Sequence, residues 1–183
     1  SDNDRRLQGA SVAGRETGRA RVSAVLPRPE RIPLSFAQQR MWFINQLEPS
    51  SAAYNLPLAL RMHGQVDLVA LRSAILDVIT RHEVLRTTYV PDDAGVRQEI
   101  HSPPAAASML DWASVPGVED IIAAAATGFD VSHELPVRIR VADGGDGSTV
   151  VLIVLHHVAA DGESLRPLLT DILSAYRSRQ AGT

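Results

Sequence analysis

Apolar residues recur every three or four positions in three stretches of this chain, which is the spacing of a helix that buries one face. The predicted helices cover residues 36–47, a stretch that opens at Asp67, and residues 165–176. Ser35 stands where it can cap the first helix, and Pro49 follows its end. Phe36, Phe43 and Leu47 share the apolar face of this helix, so the pattern predicts that the face belongs to the hydrophobic core.

Alternating or continuous apolar residues predict strands elsewhere. These strands cover residues 55–63, 87–90, 96–100, 136–141 and 148–155, with a short helix over 118–127 and no clear pattern over 102–117. The last strand is almost wholly apolar, so it should lie at the centre of a sheet with both faces covered. Pro57 is tolerated only at an edge or near a strand start. Because helices and strands are interleaved, the predicted fold class is α/β or α+β, with a mixed β-sheet flanked by helices.

Length and composition fit one folded unit. With 183 residues, 45% of them hydrophobic, the chain can bury a core without cross-links. It has no cysteine, which excludes disulfides, thiolate metal sites and a cysteine nucleophile. Its longest purely apolar run, residues 150–155, is far shorter than the roughly 18 residues of a membrane span. No early segment resembles a signal peptide, so we expect a cytoplasmic protein without membrane contact.

Charge divides the chain into two parts. All 18 basic residues are arginines, and residues 1–31 hold seven of them with four acidic residues. The rest of the chain holds 11 arginines and 17 acidic residues, an acidic balance that disfavours a nucleic-acid partner. The basic segment is rich in Ser, Gly and Ala and lacks apolar periodicity. We therefore interpret residues 1–31 as an interdomain linker and residues 32–183 as the folded unit.

Reactive groups are concentrated after the predicted central strand, which ends in His156 and His157. In layered α/β folds, ligands gather at the carboxyl ends of strands, beside helix N-termini. A histidine there can transfer protons near neutral pH. Asp161 can cap the next helix, or orient a ring or an arginine. Gly162 allows close backbone approach and presents an N–H near the positive end of that helix.

Two other interpretations of these residues stay open. The pair can be a buried histidine beside an exposed one, with Asp161 as a simple cap. A metal site formed by His156, His157 and Asp161 is disfavoured, because adjacent side chains on a strand point to opposite faces.

Four segments in order resemble the condensation domains of nonribosomal peptide synthetases. Residues 35–43 resemble the motif S-x-A-Q-x-R-L/M-W, and residues 81–89 resemble R-H-E-x-L-R-T-x-F/Y. Residues 128–138 resemble the segment F-D-L-x-x-x-P-L/V-R, and residues 156–162 match H-H-x-x-x-D-G at every fixed position. The histidine motif alone also occurs in other acyltransferases, whereas the four together are specific to this family.

The resemblance implies the N-terminal one of two chloramphenicol-acetyltransferase-like lobes. The C-terminal lobe, with its floor loop and its latch, has no counterpart in this chain, so we expect the lobe alone to be inactive. The implied reaction is peptide-bond formation in secondary metabolism, such as antibiotic biosynthesis. A donor thioester and an acceptor aminoacyl thioester would arrive on the phosphopantetheine arms of two carrier proteins. The implied partners are those carriers, the missing lobe and neighbouring synthetase domains, with no cofactor or metal bound by the lobe.

The resemblance also assigns roles to individual residues. His157 would face the tunnel between the lobes and hydrogen-bond the acceptor amine, as a base or as a positioning group. The N–H of Gly162 would stabilise the developing negative charge. Supporting roles are expected for His156, Asp161, Arg40 and Arg86, with Asp161 paired to an arginine.

Residues 54–57 and the pair Ala159-Ala160 look like members that join an L-configured donor to an L-configured acceptor. Epimerisation and ester formation are alternatives within the same superfamily. A module that only docks a carrier protein or a partner lobe is an alternative of another class.

Overall fold

The computed structural model describes residues 27–182. Most of the predicted linker, residues 1–26, lies outside this range. The strands are β1 Ile32–Pro33, β2 Asn55–His63, β3 Thr87–Asp92, β4 Gly95–Ile100, β5 Asp111–Ser114, β6 Val137–Asp143 and β7 Ser148–His156. The helices are α1 Phe36–Leu47, α2 Leu68–Arg81, α3 Pro103–Met109, α4 Val118–Ala125 and α5 Leu165–Gln180. A 3-10 turn, Glu83–Arg86, joins α2 to β3. Over the described range, no helix has the length and apolarity needed to cross a bilayer.

Two sheets organise the molecule. The larger has the strand order β2-β7-β6-β5, and the smaller has the order β1-β4-β3. Strand β7 runs antiparallel to both neighbours, whereas β5 and β6 are parallel, so the larger sheet is mixed as predicted. Strand β7 is buried along almost its whole length between β2 and β6. Pro57 lies on β2, an edge strand, where its missing N–H costs no ladder bond.

The hydrophobic core fills both faces of the larger sheet. Alternate residues of β7 point to opposite sides, because successive side chains of a strand alternate. Val151, Ile153 and Leu155 pack with α2 and α5, whereas Leu152 and Val154 pack with α4 and the segment around Phe129. Because both faces of β7 are covered, its odd-numbered and its even-numbered residues are both apolar.

Helix α1 lies with its predicted core face outward. The side chains of Phe36, Phe43 and Leu47 are 91%, 59% and 66% exposed, so the prediction that this face belongs to the core was wrong. The opposite side is held by polar contacts: Asn45 Nδ2 donates to the carbonyl of Phe129 at 2.7 Å. Trp42 Nε1 donates to the Ser132 hydroxyl at 3.1 Å. Periodicity identifies the apolar face of a helix, but the surrounding elements decide whether that face is covered.

The remaining differences from the predictions are local. Residues 102–117 contain α3 and β5, which alanine and proline content concealed. Helix α5 begins at Leu165, where the apolar pattern predicted it, but Asp161 lies in the turn before the helix and Ser164 occupies the capping position. The first two helices start as expected, α1 with a capping box formed by Ser35 and Gln38 and α2 with Asp67 capping Ala70.

Candidate active site at the end of strand β7

The two histidines end the central strand and face different surroundings. His156 is the last residue of β7 and pairs with Asn55 of β2. Its side chain is 1% exposed, whereas that of His157 is half-buried. The backbone N–H of His157 donates to the carbonyl of Tyr54 at 2.9 Å. The strand therefore sends one ring into the core and the other towards the surface.

Several contacts brace the ring of His156. Its Nδ1 accepts a hydrogen bond from the Val158 N–H at 3.0 Å, so the ring proton of the neutral form belongs on Nε2. The rings of Tyr54 and Phe129 lie on two sides of it, with centroids at 6.2 and 6.0 Å. Burial, and secondarily the neighbouring His157, lower the pKa of His156 to about 4. At neutral pH His156 is an uncharged brace for the turn.

This brace makes the stability of the lobe depend on pH. The pKa of His156 is 6.5 in its ordinary state and about 4 in the fold, so between these values the unfolded chain binds the extra proton. The contribution is complete above pH 6.5 and is lost as the pH falls through that window. We expect the free energy of unfolding to fall by about 2 kcal/mol between about pH 7 and about pH 5. Urea unfolding at each pH measures it, and His156→Gln should flatten the slope. An equal slope in both proteins would contradict the assignment.

His157 is the group left available for chemistry. Within residues 27–182, neither of its ring nitrogens has a hydrogen-bond partner. Its ring stands edge-on to that of Tyr54, with an interplanar angle of 86° and a centroid distance of 6.3 Å. A half-exposed imidazole with both nitrogens unoccupied can accept a proton from a substrate, or hydrogen-bond to it.

Asp161 organises the turn that leads into α5. Its carboxylate accepts hydrogen bonds from the backbone N–H of Ser164, at 2.9 Å, and from the Ser164 hydroxyl. These two donors hold the pKa of Asp161 below its ordinary value. No arginine among the described residues pairs with it, and the arginine partner of Asp161 stays a prediction. The predicted capping role falls on the 161–164 turn instead of on the helix itself.

The capping contacts of Asp161 predict a stability difference. Asp161→Ala removes both hydrogen bonds from Ser164, whereas His157→Ala removes a ring that makes no hydrogen bond with any described residue. We expect Asp161→Ala to lower the Tm more than His157→Ala does. Ser164→Ala, which keeps the backbone bond, should fall between the two. Calorimetry of the three variants checks the order, and a larger loss for His157→Ala would assign the bracing role to the histidine.

Gly162 is exposed, and a Cβ added there would meet nothing within 4 Å. In the described part of the chain, its N–H has no acceptor and is therefore available to an incoming group.

The two predicted arginines lie apart from this turn. Arg86 donates to the carbonyl of His101 at 2.6 Å and to that of Thr80 at 3.3 Å, and it pairs with Glu83 at 3.3 Å. It ties the end of α2 to the end of β4. Arg40 is exposed on α1 and makes no hydrogen bond or ion pair with any residue from 27 to 182. The structure thus brings together His156, His157, Asp161 and Gly162, but no hydrogen bond or ion pair joins either arginine to them.

A buried arginine packs against the Phe129 ring, which borders His156. Arg138 is 4% exposed and donates to Asp111 at 2.8 Å and to the carbonyls of Thr127 and Gly128 at 2.9 and 3.0 Å. Its guanidinium lies 4.2 Å from the centroid of the Phe129 ring, which in turn contacts His156. The motif of residues 128–138 includes Arg138, but the sequence did not indicate that this arginine is buried. Its ion-pair partner, Asp111, lies within residues 102–117, where no clear pattern was found.

A cavity of about 300 Å³ lies beside the loop of residues 157–164, which contains the H-H-x-x-x-D-G motif after its first histidine. Leu155, Ala159, Ala160 and Leu168 form part of its apolar wall. His82 and Asp171, whose Nε2 and Oδ2 atoms are 3.0 Å apart, also line it. The hydrogen bond from His82 is the main cause that lowers the pKa of Asp171. Over residues 27–182, no three histidine, aspartate or glutamate side chains converge as metal ligands.

Comparison with known proteins relates this site to a family. A family model for the condensation domain matches residues 29–183. The chain is 45% identical over 157 residues to the "Probable non-canonical nonribosomal peptide synthetase (NRPS) CymA" of Salinispora arenicola, covering 86% of this chain and 2% of that protein. It is 39% identical over 170 residues to the isonitrile lipopeptide synthase of Mycobacterium tuberculosis, covering 90% of this chain and 7% of that protein. The chain therefore spans only a small part of the curated relatives it matches.

Solved structures share its fold. The X-domain in complex with OxyB from teicoplanin biosynthesis superposes with a TM-score of 0.76 at 34% identity, covering 90% of this chain and 36% of that one. The starter condensation domain of the rhizomide synthetase RzmA superposes with a TM-score of 0.70 at 18% identity, covering 85% of this chain and 39% of that one. At such identity the second likeness concerns the fold alone. The predicted α/β class with a chloramphenicol-acetyltransferase-like lobe is confirmed.

Proposed function

Because this chain belongs to the condensation-domain family of nonribosomal peptide synthetases and is the N-terminal part of such a domain, we propose a catalytic role for it in peptide-bond formation. In this role it supplies residues 156–162, called here the histidine turn. Members of this family form amide bonds. The observation that carries the proposal is the contrast at the end of β7: His156 is buried and braced, whereas neither ring nitrogen of His157 has a hydrogen-bond partner among residues 27–182.

The proposed reaction joins an acceptor amine to a donor thioester. The amine nitrogen attacks the carbonyl carbon, a C–N bond forms, the C–S bond breaks, and the amine proton ends on the departing thiolate. His157 accepts a hydrogen bond from the amine and either positions the amine or takes up its proton during the attack. General base catalysis of this kind raises a reaction rate by about 100- to 10,000-fold. The N–H of Gly162 is directed to the developing oxyanion. The lobe needs no bound cofactor for these steps.

We assign the substrates to the phosphopantetheine arms of a donor and an acceptor carrier protein. Residues 54–57 and the Ala159-Ala160 pair favour an L-configured donor and an L-configured acceptor. Residues 1–31 are proposed as the linker to a preceding domain, and residues 32–183 as the lobe. A second lobe would complete the tunnel, so the present chain is expected to be inactive by itself.

Complementation tests this proposal. The 183-residue chain is mixed with a separately produced C-terminal lobe of a condensation domain and with loaded donor and acceptor carrier proteins. We expect the dipeptidyl thioester, detected by mass spectrometry, only when both lobes and both carriers are present. Carrier binding without product from any second lobe would overturn the proposal.

A docking module is the second candidate function, and two observations favour it. The face of α1 with Phe36, Phe43 and Leu47 is exposed, although apolar side chains of this size are usually covered. The related X-domain from teicoplanin biosynthesis has been solved in complex with OxyB. In this alternative the lobe presents α1 to a partner, and the histidine turn takes no part.

The exposed face of α1 predicts self-association of the isolated chain. Contiguous apolar patches beyond a few hundred Å² are rare on soluble monomers. We expect the apparent mass from light scattering to rise with concentration, and Phe43→Asp to suppress the rise. Val69→Asp is the matched control, because Val69 is also exposed, at 78%, but lies on α2, in a groove with Arg72 and Trp112. A chain that stays monomeric at high concentration would contradict this expectation.

A further inference from the structure

We propose that Tyr54 is a positioning residue for His157, an inference that rests on the function proposed above. Three contacts join Tyr54 to the histidine pair. Its carbonyl accepts the backbone N–H of His157 at 2.9 Å. Its ring meets the ring of His157 edge-on, with centroids 6.3 Å apart at 86°. The same ring lies 6.2 Å from that of His156, at 40°.

The register of the sheet brings Tyr54 to this place. Asn55 pairs with His156 in the antiparallel ladder of β2 and β7. Tyr54, the turn residue just before β2, therefore stands opposite His157, and its carbonyl accepts the His157 N–H. Residues that face each other across an antiparallel pair project to the same side of the sheet, where their side chains meet. The aromatic side chain of Tyr54 is thus the cross-strand neighbour of the half-exposed histidine.

The backbone that carries Tyr54 is held on both sides. Asn55 Nδ2 donates to the carbonyls of Ala125 and Thr127 at 2.9 and 2.8 Å. The loop that precedes Tyr54 packs its Pro49 and Ser50 backbone against Gly128 so closely that a Cβ there would clash. The ring of Tyr54 therefore projects from a fixed backbone.

The contact with Tyr54 matters because the described residues give the ring of His157 no hydrogen bond. Neither of its nitrogens has a partner among the residues that the structure describes, so no hydrogen bond selects its rotamer. An edge-to-face contact does so sterically and through the quadrupole of the phenol ring. A ring held in one orientation presents its nitrogen to the amine without an ordering cost during the reaction, which is the general benefit of positioned groups.

The role belongs to the ring of Tyr54 and not to its hydroxyl. Within residues 27–182 the phenolic oxygen makes no hydrogen bond. Tyr54→Phe should therefore preserve the orientation of His157, and Tyr54→Leu should abolish it. The two variants separate a positioning role from a direct one.

Nuclear magnetic resonance of the isolated chain tests the contact independently of catalysis. The side-chain protons of His157 should carry ring-current displacements in the wild type and in Tyr54→Phe. In Tyr54→Leu these displacements should vanish, and the couplings should indicate rotamer averaging. Phe129→Leu is the matched control, because its ring contacts His156 and should displace only the signals of that residue. Unchanged His157 signals in a folded Tyr54→Leu would overturn the inference.

Activity with a complementing second lobe completes the test. We expect Tyr54→Leu to lower kcat about ten-fold with an unchanged KM for the acceptor, and Tyr54→Phe to remain within about two-fold. A large loss in Tyr54→Phe would overturn the positioning role in favour of a hydroxyl that touches substrate. If His157→Ala keeps full activity, the proposed function itself fails. If His157→Ala is inactive and Tyr54→Leu is normal, only the present inference fails.

Discussion

Replacing His157 with alanine should reduce the condensation rate of the two-lobed protein by about a hundred-fold or more while the lobe stays folded. The large effect on rate follows from the unoccupied ring nitrogens, which are proposed to receive the hydrogen bond of the acceptor amine. The small effect on folding follows because the side chain is only half-buried and makes no hydrogen bond with residues 27–182. Initial rates of dipeptidyl thioester formation and the Tm of the same variant measure the two effects.

His156→Ala is the control for this prediction. It removes the neighbouring ring, which is buried and hydrogen-bonded to the Val158 N–H, so it should lower the Tm strongly. Reversed behaviour, with a destabilised His157→Ala that still condenses normally when folded, would falsify the catalytic assignment of His157.

Replacing Arg138 with methionine should lower the free energy of unfolding by about 3 kcal/mol or more. The guanidinium is almost wholly buried, and its loss leaves the carbonyl of Gly128 without its donor and that of Thr127 with the Asn55 amide alone. Asp111, whose pKa is lowered by its two arginine partners against the opposing effect of burial, would lose one of them. Urea denaturation at neutral pH measures the change.

Arg140→Met is the matched control, because Arg140 also binds Asp111, at 2.8 Å, but makes no contact with the loop around Phe129. It should cost about 1 kcal/mol or less. Equal losses in the two variants would mean that the ion pair with Asp111 matters and the carbonyl contacts do not.

Elements that depend on neighbouring residues in the chain were predictable. Helix α1 was expected over residues 36–47 and occupies Phe36–Leu47, because its cap and its breaker are local. The apolar run after Ser148 predicted a central strand, because only a strand covered on both faces needs consecutive apolar side chains. The order of the motif residues after β7 predicted where reactive groups gather, since chain adjacency alone places them in one turn.

Contacts between residues far apart in the chain could be identified only from the tertiary structure. The apolar face of α1 faces outward because Asn45 and Trp42, on another face, bond to the segment after Phe129.

The burial of Arg138 and the contact of Tyr54 with His157 also escaped the sequence. Asp111 lies on β5 and Tyr54 just before β2, and only sheet register sets either beside its partner. Local pattern encodes which groups are polar, apolar or reactive, because helix and strand periods are properties of a few consecutive residues. Which of these groups meet is decided by the packing of distant segments, because burial and hydrogen bonding act between whatever side chains the fold brings within a few ångströms.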